Sequence, residues 1–157
     1  MGVDTAQKQD YSVGTVLDVN ARRQVDMVRF NAVPWTVYRE RMTALAARWN
    51  VERIVFETNS IGGPNFEALA NEGLPVVAFE TTAKSKPPLI ESLRLAFERG
   101  EISVLDDPAL LGELGAYEYT VNAAGRPSYS APQGLHDDAV IALALAWHGV
   151  NVMPLLL

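Results

Sequence analysis

The segment GLHDDAVIALALAWHG (134–149) sets two adjacent carboxylates, Asp137 and Asp138, at the mouth of an almost wholly apolar run. A helix that is apolar all round is a buried helix. Carboxylates at the edge of a core are seldom without a partner, so this pair asks for positive charge from elsewhere. The N-terminus of a helix also favours anions through the backbone dipole. Where the chain brings its other acids then decides both the fold and the chemistry.

Upstream of this helix, TVNAAGRPSYSAPQG (120–134) is rich in Gly, Pro, Asn and Ser and reads as a hairpin or mobile loop. DPALLGELGAYEY (107–119) reads as a helix with Asp107 as its cap, and EISVL (101–105) as a short strand. KPPLIESLRLAFERG (86–100) is an amphipathic helix with Leu89, Leu93, Ala96 and Phe97 inward. LPVVAFE (74–80) and RIVFE (53–57) are short apolar runs of the kind buried in parallel sheets. Between them, SIGGPNFEALANEG (60–73) gives a glycine-rich loop and a helix stopped by Gly73. Pro34 opens a helix with Trp35, Tyr38, Met42, Leu45, Ala46 and Trp49 on one face.

At the N-terminal end, MGVDTA (1–6) reads as a buried strand carrying one charge. YSVGTVLDV (11–19) alternates as a strand, and QVDMVRFNAV (24–33) pairs back across the turn NARR (20–23). An antiparallel meander followed by alternating helix and strand predicts one α/β domain, 1–157, with a mixed sheet flanked by helices.

The 157 residues are 48% apolar and 20% charged, enough for a sizeable core and unlike a disordered chain. The absence of cysteine rules out disulfides and thiolate metal sites and fits a reducing cytosol. Met1 leads straight into a strand with no signal peptide, and no apolar run is long enough to span a bilayer. The net charge of −6 argues at first against a phosphate-rich partner. A site that gathers carboxylates around metal ions is acidic by construction, however, and bound cations invert its field.

Three acids break otherwise apolar segments: Asp4 in the first strand, Glu57 at the end of a parallel-type strand, and the 137–138 pair. The C-terminal ends of strands are where open α/β sheets bind ligands. Each acid also has an ordinary reading: Asp137 as a helix cap, Asp4 as a turn residue, Glu57 as the partner of Arg53 or Arg94. A carboxylate cluster with only His136 and His148 for nitrogen selects hard, oxygen-seeking cations such as Mg²⁺ or Mn²⁺ rather than zinc. Two such ions about 4 Å apart can activate a water and stabilise a leaving oxygen in phosphodiester hydrolysis. None of Lys8, Lys84 and Lys86 follows a glycine, which excludes an ATP-binding loop of the Walker type. There is no serine nucleophile elbow, and His148 lies well inside the apolar helix, in a core or surface role.

GVDTAQKQDYSVGTVLD (2–18), the stretch from IVFETNSIGG through AFERGEI (54–102), and GLHDDAVIALALA (134–146) together resemble the C-terminal nuclease domain of the large terminase subunit of tailed bacteriophages. The resemblance implies a ribonuclease-H-like fold and a metal-dependent endonuclease. Such an enzyme cuts double-stranded viral DNA during packaging by a two-metal-ion reaction with little sequence specificity. It implies Asp4, Glu57 and Asp138 as catalytic metal ligands, with Asp137 sharing or bracing the last position and Asp10 adding a ligand to the second Mg²⁺ or Mn²⁺. Glu57 is a departure, since many members carry Asp there.

The resemblance further implies an N-terminal ATPase motor absent from this chain, a portal and a small terminase subunit as partners, and work in the host cell cytoplasm. It implies no membrane partner and a monomeric isolated domain. Lys84 and Lys86, in the loop before a helix, and Arg126, at the tip of the 120–134 segment, are candidate DNA contacts. The alternatives within the fold are a junction resolvase or transposase core. From another class, the alternative is a catalytically silent module that binds DNA or portal.

Overall fold

Alternation and burial put the strands close to where the pattern predicts them. In the computed structural model, which describes residues 1–6 and 8–152, β1 is Gly2–Asp4, β2 Ser12–Asp18 and β3 Arg23–Phe30. Two more strands follow, β4 (Ile54–Glu57) and β5 (Val76–Phe79), in the sheet order β3-β2-β1-β4-β5. The first three strands pair antiparallel, and β4 and β5 join parallel to β1. This is the ribonuclease-H-like mixed sheet that the resemblance implies. Residues 153–157 of the expected single domain lie outside the described residues.

Side chains alternate faces along a strand, and that alternation divides the core in two. Val3, Ile54 and Phe56 point to one face, where α1 (Trp35–Arg48) and α2 (Gly62–Asn71) cover them with Tyr38, Met42, Leu45 and Leu69. Val13 and Val55 point to the other, under α3 (Lys86–Glu98) and the closing helix α5 (Asp138–Asn151). From Asp138 to Trp147 every residue of α5 is buried. At roughly 1.5–3 kcal/mol for each large apolar side chain, this helix is a major part of what holds the domain together.

One close approach fixes how α5 lies on the sheet. A Cβ at Gly2 would sit 2.1 Å from the carbonyl oxygen of Ala142 and 2.3 Å from the nitrogen of Ala146. The strand and the helix therefore touch backbone to backbone, which only a glycine facing two alanines allows. At the neighbouring strand end, a Cβ at Gly62 would meet the carbonyl oxygen of Glu57 at 2.1 Å, so α2 starts hard against the end of β4.

Several details differ from the pattern-based expectation. The segment 101–105 forms no strand; Ser103 makes a lone bridge to Arg23. The helix at 107 is shorter than expected: α4 is Pro108–Ala116, and Tyr117 is already extended. The aromatic and β-branched residues that follow suit a strand, so β6 (Glu118–Val121) hairpins with β7 (Pro127–Ser130). The Asp107 cap is present, its carboxylate accepting the Leu110 N–H at 2.9 Å. Phe97 is 36% exposed rather than inward. Trp49 is 44% exposed, its indole N–H donating to Asp26 at 2.8 Å beside the Arg48 guanidinium.

Candidate metal centre

The contact at Gly2 also positions the acids. Asp4 shares the face of Gly2, two strand residues or about 6.6 Å further on. Asp138 lies one helical turn, about 6 Å, before Ala142. Val3 is paired with Phe56, so the next pair along the parallel ladder is Asp4 beside Glu57, both on the α5 face. Three acids from the two ends and the middle of the chain thus meet at one end of the sheet.

The burial of this cluster is deep. Asp4 is 8% exposed and Asp138 6%. Burial, the hydrogen-bonding Glu57 carboxyl beside it, and the charges of Asp138 and Asp137 all hold the Asp4 carboxyl well above its usual range. No ion pair to Asp4 or Glu57 occurs among the described residues: Arg53 donates to the Gly149 carbonyl, and Arg94 pairs with Glu91 and Glu98. A buried carboxylate pair that lacks a protein cation has the charge and donor atoms that a divalent metal would complement.

A second group adjoins the first. Ligand atoms of Asp10, His136 and Asp138 lie within 4.8 Å of one another. His136 Nδ1 is 3.2 Å from Asp10 and 3.7 Å from Asp138, and its ring packs edge-on against Tyr11. Asp138 accepts the Tyr11 backbone N–H at 3.0 Å, which anchors it to the loop that carries Asp10. Burial, opposed by that hydrogen bond, pushes the Asp138 carboxyl up to about 6.

Asp137 occupies the N-cap position of α5 but makes no capping bond; its carboxylate faces Lys86, 3.4 Å away. The capping is done by Glu113 of α4, whose Oε2 accepts the N–H groups of Ala139 at 2.7 Å and Val140 at 3.3 Å. Of the expected DNA contacts, Lys86 therefore stands at the rim of the acid cluster. Lys84 is exposed in the same loop, and Arg126 is exposed at the hairpin turn. The hairpin is tied to α3 by Tyr129, which donates to Glu91 at 3.1 Å. His148 packs on Phe79 at the other end of α5, away from the acids.

Sequence reading passed over two residues of this assembly. His136 had a signal, standing two residues before Asp138. Glu113 had one as well, being the sole charged residue of PALLGELGA.

The raised Asp138 carboxyl has a consequence for stability. A carboxylate held above its unfolded value contributes stability that is complete below that value and is lost as pH rises through the folded one. Metal-free wild-type protein is therefore expected to lose stability relative to Asp138→Asn between about pH 4 and 6, with no further divergence from this group above that window. Thermal melts of both in chelator check this, and parallel curves would refute it.

No protein-family model matches the chain. The large terminase subunit of Thermus virus P23-45 is 32% identical over 148 residues, covering 94% of this chain. The chain spans 30% of that subunit's length. The large terminase nuclease of thermophilic phage G20c, solved with bound magnesium, superposes with a TM-score of 0.87 at 31% identity, over 94% of this chain and 78% of that one. The large terminase nuclease domain of Thermus phage P74-26 gives 0.82 at 31% identity, over 93% and 76%. With fold and sequence in agreement over nearly its whole length, the chain belongs to the family of large terminase nuclease domains.

Proposed function

We propose that this chain, as a single domain over 1–157, is a metal-dependent endonuclease that cuts double-stranded viral DNA during genome packaging. The observation that carries the reading is the meeting of Asp4, Glu57 and Asp138 at one sheet end, with Asp4 and Asp138 buried and no Lys or Arg paired with any of the three among the described residues. Asp4, Glu57 and Asp138 would hold one divalent ion. Asp10, His136 and Asp138, with Asp137 alongside, would hold a second, Mg²⁺ or Mn²⁺ by their oxygen-rich donor set. The magnesium-bound G20c nuclease supports that choice of ion. When bound, such a pair supplies an activated water and stabilises the leaving oxygen.

The chain's own residues do the rest. The Tyr11 N–H holds Asp138 in place, and Glu113 holds the helix end from which it projects. Asp10 is exposed at the rim of the centre, the side from which a large substrate would approach. Lys84, Lys86 and Arg126 would contact phosphates there. Phosphate contacts carry no sequence information, which gives cutting with little sequence preference. The remaining length of the subunit would supply the N-terminal ATPase motor. The assembled enzyme would act with the portal and the small terminase subunit in the host cytoplasm, the nuclease part alone being monomeric.

The test is supercoiled plasmid incubated with the domain and Mn²⁺, Mg²⁺ or chelator. Nicking and linearisation with either ion, at no fixed position, and intact plasmid in chelator are expected. Cutting that persists in chelator, or none with either ion, would contradict the reading.

A further inference from the structure

Aspartate at an N-cap ordinarily turns its carboxylate onto the N–H groups two and three residues into its own helix. Asp137 stands at that position of α5 and does not do so. The same two N–H groups, of Ala139 and Val140, are taken by Glu113 from α4. Glu113 is 7% exposed, among the few buried charged residues of the protein. Its other oxygen lies 3.6 Å from the Arg29 guanidinium, which in turn lies 3.4 Å over the Tyr11 ring. Tyr11 supplies the N–H that Asp138 accepts. One carboxylate on a neighbouring helix therefore holds the start of α5 directly and reaches Tyr11 through Arg29.

We propose that Glu113 is a positioning residue that caps α5 from outside, and that by doing so it leaves the Asp137 carboxylate, which here faces Lys86, turned outward and available to the metal centre. Without Glu113, Asp137 is the nearest good acceptor for the two unpaired N–H groups and turns inward to take them. The centre then loses a ligand although the helix stays capped. Two adjacent acids at a helix start can both serve a metal only where another group does the capping, and here that group is Glu113. α4, with Asp107 capping its own start, serves to carry Glu113 to that place.

This inference rests on the metal-centre reading above, and Mn²⁺ binding to metal-free protein separates the two. If wild type binds no Mn²⁺, that reading fails. If wild type binds and Glu113→Ala binds equally well, only this inference fails. The Mn²⁺ dissociation constant of Glu113→Ala is expected to rise about tenfold, as for other residues that orient metal ligands. Glu113→Gln, which keeps an oxygen acceptor, restores most of the affinity.

In an Asp137→Ala background there is no carboxylate left to recapture, so the further Glu113→Ala change costs less Mn²⁺ affinity than it does in wild type, only what the loosened helix start costs Asp138. Hydrogen exchange gives a readout that does not involve metal. The Ala139 and Val140 amides stay protected in Glu113→Ala and lose protection only in the double variant. Equal effects of Glu113→Ala in both backgrounds, or loss of amide protection in the single variant, would overturn the inference. Glu113→Asp, which keeps the charge but falls a methylene short, carries the same expectations should the alanine variant not fold.

Discussion

Asp4→Asn abolishes metal-dependent cleavage and leaves the metal-free protein more stable than wild type. Asp4 lies at the centre of the cluster, with Glu57 beside it and Asp138 across from it. Losing its charge removes a ligand from the ion that stabilises the transition state, a contribution of several kcal/mol. At 1.36 kcal/mol per factor of ten, about 4 kcal/mol corresponds to a loss of roughly a thousandfold or more. The stability change runs the other way. Ionised Asp4 is buried against a second carboxyl with no ion pair among the described residues, and the replacing amide has the same shape and can donate to Glu57.

Because the Asp4 carboxyl is held high, its ionisation disfavours the folded state increasingly as pH rises. The gain in melting temperature measured in chelator therefore widens as pH rises above the ordinary carboxylate range. Divalent metal narrows or reverses it, because only wild type gains from binding. Plasmid cleavage and thermal melts with and without Mn²⁺ check both halves. A variant that cuts at the wild-type rate would remove Asp4 from the mechanism. A variant less stable in chelator would mean that the carboxylate pair is already satisfied within the protein.

Gly2→Ala carries the largest structural effect. The added methyl would lie 2.1 Å from the Ala142 oxygen and 2.3 Å from the Ala146 nitrogen, both backbone atoms of a helix buried along most of its length. Neither can rotate away, so α5 must lift from β1. Overpacking costs roughly 1–3 kcal/mol, and backbone against backbone belongs at the upper end. At about 2–4 °C per kcal/mol for a chain of this size, the melting temperature falls by about 6–12 °C. Cleavage falls further than stability alone explains, because lifting α5 carries Asp138 away from Asp4.

Gly112→Ala is the matched control. Its Cβ would meet nothing within 4 Å in the middle of α4, so it is expected to stabilise by about 0.5–1 kcal/mol through helix propensity. Melting curves of the two variants decide this. A Gly2→Ala protein with wild-type stability and activity would show that the strand and the helix do not touch as described.

The elements legible in the sequence are those whose pattern is set by burial alone. The run at 53–57 and the helix from 138 are apolar because both faces are covered, and the structure places them accordingly; the run at 74–80 forms the edge strand β5, with Val77 and Ala78 exposed. Where a local pattern has two physical meanings, the reading slips. EISVL is apolar enough for a strand, yet only Ser103 bridges the edge of β3, and the Leu105 N–H goes to the Gln24 side chain instead of continuing the ladder. Phe97 sits at a helical core spacing but falls on the last turn of α3, beyond the covering elements.

For the centre, Asp4, Glu57 and Asp138 were legible because each breaks an apolar run. Glu113 was not, because a single glutamate in a helix is ordinarily solvated, and only the contact between α4 and α5 shows what it holds. The alanines at 142 and 146, spaced one turn apart and in phase with Asp138, were visible all along. Their meaning depends on a glycine at the other end of the chain.

The measurement that bears most directly on the central claim is diffraction from crystals of this domain soaked in Mn²⁺, collected at a wavelength where manganese scatters anomalously. Two peaks are expected, one among Asp4, Glu57 and Asp138 and one among Asp10, His136 and Asp138. Asp4→Asn crystals are expected to lose the first. Peaks elsewhere on the molecule, or none at these carboxylates at saturating Mn²⁺, would contradict the account.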